Sequence, residues 1–298
     1  MTGRLQSPIF AYAGLVLAML LWASSFVALK LAFRSYDPMV VIFGRMIVAS
    51  ICFAPFIPGF RSALPYLRRD MRPLLFMALC EPCLYFLFEA RALELTAASQ
   101  AGMITAMLPL MVAVGARLVL GEVLTVRTVV GFGIAIVGAG WLSSAGHPSP
   151  EAPDPLLGNF LEFMAMVCAT GYIISLKRLT ARYSPFFLTA VQAFVGTVFF
   201  LPFLFLPATV LPDRFDPLAT LAVGYLGAVV TLGAYGLYNF GVSRIPVSRA
   251  SVFINLIPVF SVLLGVLILD EHFTLFQYLA SGLVFVGIYL SQREGTKK

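Results

Sequence analysis

Ten apolar segments, each about 20 residues long, follow one another along this chain with only short polar breaks between them. At a rise of about 1.5 Å per residue, a helix of that length crosses the roughly 30 Å hydrocarbon core of a bilayer. The segments fall at roughly 8–31, 38–58, 73–95, 97–120, 125–144, 157–177, 185–206, 218–241, 247–269 and 275–292. The breaks are polar or helix-stopping, as in Ser35-Tyr36-Asp37-Pro38, Arg68-Arg69-Asp70, His147-Pro148-Ser149-Pro150 and Pro212-Asp213-Arg214. The faintest is Leu95-Thr96, between the third and fourth segments. With 60% hydrophobic residues, 11% charged and a mean hydropathy of +0.94, the chain lacks the polar residues to cover a soluble fold. The expected fold class is an all-α polytopic membrane protein with ten transmembrane helices, and the lipid bilayer is its first partner. Only Arg4 precedes the first segment and no small-residue cleavage pattern follows a short apolar core, so no removable signal peptide is expected.

Lysine and arginine set the expected orientation. With a cytoplasmic N-terminus, the inside segments hold Arg4, Arg61, Arg68, Arg69, Arg72, Arg117, Arg127, Lys177, Arg178, Arg182, Arg244, Arg249, Arg293, Lys297 and Lys298. The outside holds only Lys30, Arg34, Arg91 and Arg214, with Arg45 inside a span. Both termini are therefore expected in the cytoplasm, and the cell (inner) membrane is the expected location. The net charge of +6 is scattered over short loops instead of forming one basic face, so no nucleic-acid partner is expected. Cys52, Cys80, Cys83 and Cys168 all fall in spans; Cys80 and Cys83 form a lone CxxC with no second pair, and they read as packing residues. No metal site and no cofactor are expected.

The chain also repeats itself. TAASQAGMITAMLPLMVAVGARLVLGEVLT from Thr96 aligns without a gap with IPVSRASVFINLIPVFSVLLGVLILDEHFT from Ile245. Ser99 meets Ser248, Pro109 meets Pro258, Glu122 meets Glu271, Thr125 meets Thr274, Gly133 meets Gly282 and Gly138 meets Gly287, each 149 positions apart (258 − 109). Earlier, WASSFVAL from Trp22 faces CATGYIIS from Cys168 at an offset of 146 (168 − 22). The expected units are 1–148 and 149–298, five helices each. An odd number of crossings per unit makes the repeats inverted, which is how many carriers obtain two interchangeable conformations around a midplane site.

These motifs resemble the EamA-type members of the drug/metabolite transporter superfamily: LLWASSFVALK in the first helix, then ARALELTAASQAGMITAMLPL…LVLGEVLT…GFGIAIVG, and the second copy ending INLIPVFSVLLGVLILDEHFT. The resemblance implies ten helices, both ends in the cytoplasm, a central cavity, and alternating-access export or exchange of small metabolites such as amino acids, amines and drug-like compounds. Glu89 departs from the pattern, standing where the second half carries Tyr238.

Carboxylates inside the spans are where chemistry is expected. An ionised carboxylate at mid-bilayer costs about 2.5–3.5 kcal/mol on the insertion scale. Glu81 and Glu89 lie in the third span and Glu162 in the sixth, against one equally deep cation, Arg45, with Lys30 able to reach inward from the first helix. An Arg–Glu pair about 4 Å apart gains roughly 4 kcal/mol, enough for one carboxylate but not for three. At least one is thus expected to be protonated or to meet a cationic solute; an ion pair or snorkelling stays open as the structural alternative for each. At 100° per residue, Tyr85, Phe88 and Ala92 lie within about 40° of Glu81, and Glu89 about 80° away. Pro82 should kink the helix beside Glu81. Trp22, Ser25 and Phe26 offer an aromatic wall with a hydroxyl, while Tyr235, Asn239 and Asn255 add polar groups from the eighth and ninth spans. The candidate substrate-binding set is Trp22, Ser25, Phe26, Arg45, Glu81, Tyr85, Phe88, Glu89, Glu162, Tyr235, Asn239 and Asn255, with Gln100 and Thr105 weaker.

Gly131, Gly133, Gly138 and Gly140 read as close helix packing. Glu122 and Glu271 read as turn-setting, and Thr274 with Gln277 as a capping box. The expected function is a secondary transporter of a small amphipathic metabolite, an amino acid or amine, with proton coupling as an option. No nucleotide loop is present, and a passive channel or an intramembrane enzyme stays open as the alternative. A monomer is the default assembly.

Overall fold

The computed structural model describes residues 8–120, 126–144, 148–150, 152–244, 250, 253–272 and 274–292. Among these residues the regular structure is helical, and the isolated bridge between Ser149 and Ala152 is the one β pairing. Seven helices are long and apolar enough to cross a bilayer, beginning at Phe10, Pro38, Pro65, Ala98, Pro155, Pro185 and Pro217. Shorter apolar helices at Val129–Leu142, Phe253–Leu269 and Leu275–Gly287 occupy the places of the expected fifth, ninth and tenth spans. The protein is an all-α polytopic membrane protein. The expected roles of Glu122, Thr125, His147 and Ser248 lie outside the described residues.

In chain order the α-helices are α1 (Pro8–Phe33), α2 (Pro38–Phe53), α3 (Leu64–Ala78), α4 (Tyr85–Leu95), α5 (Ala98–Ile104), α6 (Leu108–Leu120) and α7 (Val126–Ser144). Then follow α8 (Pro155–Leu179), α9 (Pro185–Phe200), α10 (Pro217–Tyr225), α11 (Tyr235–Arg244), α12 (Leu256–Leu269) and α13 (Leu275–Gln292). Four of them start the same way. Asp37, Asp154, Ser184 and Asp216 each accept a hydrogen bond from an amide of the first turn, and a proline follows each. A short acceptor side chain at the cap satisfies an otherwise orphaned N–H, and proline at the first helical position has no N–H to lose. Of the breaks named from sequence, Asp37-Pro38 is one of these starts, whereas Arg68-Arg69-Asp70 lies inside α3 and the third span begins earlier than expected, at Pro65. The faint break at Leu95-Thr96 is real as well: α4 stops there and Thr96 is extended (φ −132°, ψ 165°).

Two spans contain π-helical turns, Leu79–Leu84 between α3 and α4 and Leu226–Ala234 between α10 and α11. Around them α1, α2, α4, α8, α9 and α11 pack into the centre of the bundle. The outside stays apolar, with Leu118, Val198, Leu221 and Leu267 exposed by 80%, 72%, 70% and 68%. Large aliphatic groups in that position suit acyl chains, not water.

Polar contacts tie the ends of the bundle together. At the end where α1 stops, the Ser35 hydroxyl donates to Asp216 (2.7 Å) and the Asp216 amide donates to the Tyr36 hydroxyl (2.9 Å). At the opposite end, Arg182 donates to both Asp70 oxygens (2.9 and 3.1 Å) and the Tyr183 hydroxyl donates to one of them (3.2 Å). Cys80 and Cys83 are buried free thiols, in line with packing roles.

The glycine expectation divides. A Cβ on Gly138 would stand 2.8 Å from the Val284 amide, and one on Gly287 would stand 2.5 Å from the Gly131 carbonyl, so α7 and α13 touch backbone to backbone there. Gly133 and Gly140 face open space, which corrects their assignment to helix contact. Gly287→Ala is expected to destabilise the protein by about 1–3 kcal/mol, because backbone cannot give way as a side-chain tip can. Gly282→Ala, with nothing near its Cβ, should be neutral within about 0.5 kcal/mol. Thermal unfolding of the two variants in one detergent compares them.

Candidate functional site

The third span breaks where its carboxylate is. Pro82 has no amide hydrogen to continue the ladder, and at Glu81 the backbone leaves the helix (φ −150°, ψ 116°). The Glu81 carbonyl instead accepts from Gln192 Nε2 on α9 (3.0 Å). The eighth span departs from the α-helical ladder in a second way, through the π turn Leu226–Ala234, within which the Thr231 hydroxyl donates to the Leu226 carbonyl (2.8 Å). Both irregularities lie at mid-bundle, where non-helical backbone is tolerated only if protein or a cavity lies beside it.

Between them is a small central cavity. Trp22, Ser25 and Phe26 line it from α1, Arg45 from α2, Glu81, Tyr85 and Glu89 from the third span, and Tyr235 from α11. Thr105, Leu108, Met166, Ala169, Tyr172, Ile173 and Ile257 complete the wall. Its volume is about 40 Å³, against about 10–15 Å³ for one water on that measure. A few waters fit, and a metabolite does not.

The charged and hydroxyl-bearing side chains of this centre are deeply buried. Arg45, 1% exposed, donates from Nε to the Thr231 hydroxyl (2.8 Å), and its guanidinium lies 4.0 Å from the Phe86 ring centre. Its Nη1 stands 3.8 Å from Glu89 Oε2, an ion pair too long to be a hydrogen bond. The other Glu89 oxygen accepts from the Tyr85 hydroxyl one turn earlier (3.0 Å). Glu81 accepts from the Tyr235 hydroxyl, and Trp22 packs edge-on against Tyr235 with ring centres 5.1 Å apart. Two donors stay unsatisfied, Trp22 Nε1 and Arg45 Nη1. An unmet buried donor is costly, so both suit an acceptor oxygen entering the cavity.

Of the candidates named from sequence, Trp22, Ser25, Phe26, Arg45, Glu81, Tyr85, Glu89 and Tyr235 converge here. Four do not line the cavity. Phe88 packs against the core, because the π turn rotates the helix and turns Tyr85 and Glu89 inward. Asn239 is fully used, donating to the Thr189 hydroxyl (2.8 Å) and accepting from the Tyr172 hydroxyl (2.6 Å). Asn255 ends the short 3₁₀ turn Phe253–Asn255, and its Oδ1 has no partner. Glu162 is wholly buried beyond the cavity wall. Sequence reasoning missed Tyr172 and Thr231. Tyr172 was discoverable, since the 146-residue offset pairs it with Phe26 (172 − 26); no signal distinguished Thr231.

A second cavity, about 680 Å³, opens at the end where α1 stops, lined by Lys30, Arg34, Glu94, Gln100, Asp270 and Glu271 among others. Lys30 thus faces this vestibule, not the centre. Glu271 does more than set its own turn: its carboxylate accepts from the Ala98 and Ser99 amides (2.8 and 3.0 Å), capping α5 from across the bundle. Thr274 and Gln277 do form the expected capping box (2.8 and 3.3 Å).

Removing Arg45 strands Glu89. Arg45→Met is expected to cost about 3–5 kcal/mol, and Arg45→Met with Glu89→Leu to recover most of it, because the penalty lies in the uncompensated charge. Thermal unfolding of both variants in detergent measures the difference.

Residues 9–144 and 156–292 each match the EamA-like transporter family. An uncharacterized transporter of Archaeoglobus fulgidus is 28% identical over 94% of this chain and 98% of its own. A probable terminal-alkyne amino-acid exporter of Streptantibioticus cattleyicolor is 26% identical over 94% of this chain and 92% of its own. One solved crystal structure, 20% identical, shares the fold with a TM-score of 0.64 over 95% of this chain and 96% of that one. With both halves matched and a polar cavity at the centre of a membrane bundle, this chain belongs to the EamA-like transporters of the drug/metabolite transporter superfamily.

Proposed function

We propose that the protein is a secondary transporter that exports or exchanges a small amphipathic solute bearing a basic nitrogen, an amino acid or an amine, by alternating access. The central cavity carries this reading. It joins one guanidinium, two carboxylates and an aromatic wall at mid-bundle, so it offers partners for an anionic group, for an ammonium and for an apolar body. The relative named as an amino-acid exporter supports the same solute class. The cavity's small volume and the wide vestibule beside it fit a carrier with one side open and its centre closed, and they disfavour a continuous pore. The transporter names of the relatives favour a carrier over an enzyme.

Alternating access here rests on ten spans in two inverted repeats. Support comes from contacts that swap. Tyr36 and Tyr183 lie 147 positions apart (183 − 36), and Asp70 and Asp216 lie 146 apart (216 − 70). Tyr36 meets Asp216 at one end of the bundle and Tyr183 meets Asp70 at the other. A two-fold axis in the membrane plane exchanges such pairs, and on that axis a position meets its own counterpart. Ser50 and Thr197, also 147 apart, bond hydroxyl to hydroxyl at 2.9 Å. The two end contacts differ in detail: the Ala219 amide and the Ser35 hydroxyl hold the Asp216 carboxyl below the usual range, while burial pushes the Tyr183 hydroxyl up. The excess of Lys and Arg at the Asp70 end supports cytoplasmic termini in an inner membrane, with the vestibule facing outward.

The test is transport by the purified protein in liposomes. Saturable uptake of labelled amino acids or amines, accelerated by the same solute on the far side, is expected; linear flux would indicate a pore. Glu81→Gln is expected to weaken binding at least about tenfold, the loss of some 1.4 kcal/mol or more. A solute that stabilises Glu81→Gln as well as the parent in thermal-shift titration removes Glu81 from the site.

A further inference from the structure

Glu162 has a surplus of charge-accepting capacity and no use for it in the central cavity. It is 0% exposed, and neither carboxyl oxygen has a hydrogen-bond partner. It also lacks a cation. Arg45, the one buried basic side chain among the described residues, is taken by Glu89 and Thr231. Without partners in such a place, an ionised carboxylate is far costlier than a neutral one.

Its position on α8 is specific. Asn159, Glu162 and Met166 succeed one another at spacings of three and four, so they share a helix face. Met166 lines the central cavity. Asn159, at the other end of this strip, donates to Gln100 Oε1 (2.9 Å) and accepts from the Thr96 hydroxyl (2.8 Å), and Gln100 lines the vestibule. Glu162 therefore stands between vestibule and cavity, with hydrogen-bonding side chains on its vestibule side.

The ionisable groups around it are few. From α4 the Glu89 carboxylate is its charged neighbour, and Tyr85 is within electrostatic reach. The π turn Leu79–Leu84 adds Cys80, Glu81 and Cys83, and Glu81 and Arg45 line the same cavity as Glu89 and Tyr85. The α5 sequence holds no ionisable residue, and α6 and α7 hold only Arg117 and Arg127, in the end turns away from the vestibule. The α3 ionisable groups, Tyr66 to Arg72, sit at the far end, and α11 contributes Tyr235, Tyr238 and Arg244 toward its own side of α8.

We infer that Glu162 is a proton-binding site separate from the solute site, holding an exchangeable proton as a neutral carboxylic acid while the centre is closed. When water reaches it from the vestibule side, the O–H bond breaks, the proton passes to water and the carboxylate stays behind; the reverse step reloads it. Beside it, the Glu89–Arg45 pair senses the change: an ionised Glu162 repels Glu89 and loosens its hold on Arg45. The proton and the solute are thereby coupled through one shared neighbour. The coupling, unlike the proton site itself, rests on the transporter reading.

The full-length chain in detergent tests the proton site without any solute. Infrared difference spectra of parent and Glu162→Gln, recorded from acid to alkaline conditions, should show one carboxylic-acid carbonyl band present only in the parent. It should shift in deuterium oxide and disappear at high pH. Absence of that band, or its persistence at full strength in Glu162→Gln, overturns the site. Should the glutamine variant not fold, Glu162→Asp keeps the acid, and the band should move in frequency instead of vanishing; an unmoved band overturns the site equally. In liposomes preloaded with an amino-acid mixture, Glu162→Gln should keep exchange of labelled amino acids within about twofold of the parent while losing at least tenfold of the accumulation driven by an imposed pH gradient. Undiminished accumulation, or loss of exchange as well, overturns the separation of proton from solute. If the parent itself exchanges nothing, the transporter reading fails, and the infrared result still decides the proton site.

Discussion

A single guanidinium organises the middle of this bundle. Arg45 reaches α11's side of the cavity through Thr231, the third span through Glu89 and an aromatic face through Phe86. It could not remain charged there otherwise, because removing an ion from water costs more than any one of these contacts returns. The contacts come from helices far apart in sequence, so the charge is tolerated only when the bundle is assembled. The same dependence makes the centre responsive: moving any of these helices alters how well Arg45 is satisfied.

The breaks in the spans serve the same end. An unbroken helix spends every backbone group on itself and presents side chains at fixed intervals. By leaving the helix at Glu81, the third span frees a carbonyl for Gln192 and aims a carboxylate at Tyr235. The eighth span's π turn sets Thr231 where Arg45 needs an acceptor. Broken helices carry polar groups to mid-membrane in many carriers, since irregular backbone is admissible only where protein or water covers it. Stability is given up locally, and polar groups face the central cavity in return.

How far the site was legible follows from which rule each residue obeyed. Glu81, Glu89, Arg45 and Trp22 stood out because charge and large aromatics with a polar edge are conspicuous in apolar helices. Counting 100° steps from Glu81 puts Phe88 on the cavity face, but the π turn Leu79–Leu84 and the break at Glu81 intervene and the count no longer applies. The glycines of α7 looked equivalent in sequence; only the approach of α13 distinguishes Gly138 from Gly133 and Gly140. Glu271 read as a turn residue since its sequence neighbours are turn formers. Its actual partners, Ala98 and Ser99, lie more than 170 positions earlier, beyond local inference.

Hydrophobic length and charge placement, both properties of local sequence, were enough to determine a helical membrane protein and the presence of costly carboxylates. Burial of a polar atom, by contrast, is a relation among several helices. That Asn239 is satisfied, that Glu162 is not, and that Glu81 and Glu89 share a cavity with Arg45 were decided by tertiary packing, since each depends on which distant groups come within hydrogen-bonding or Coulombic reach.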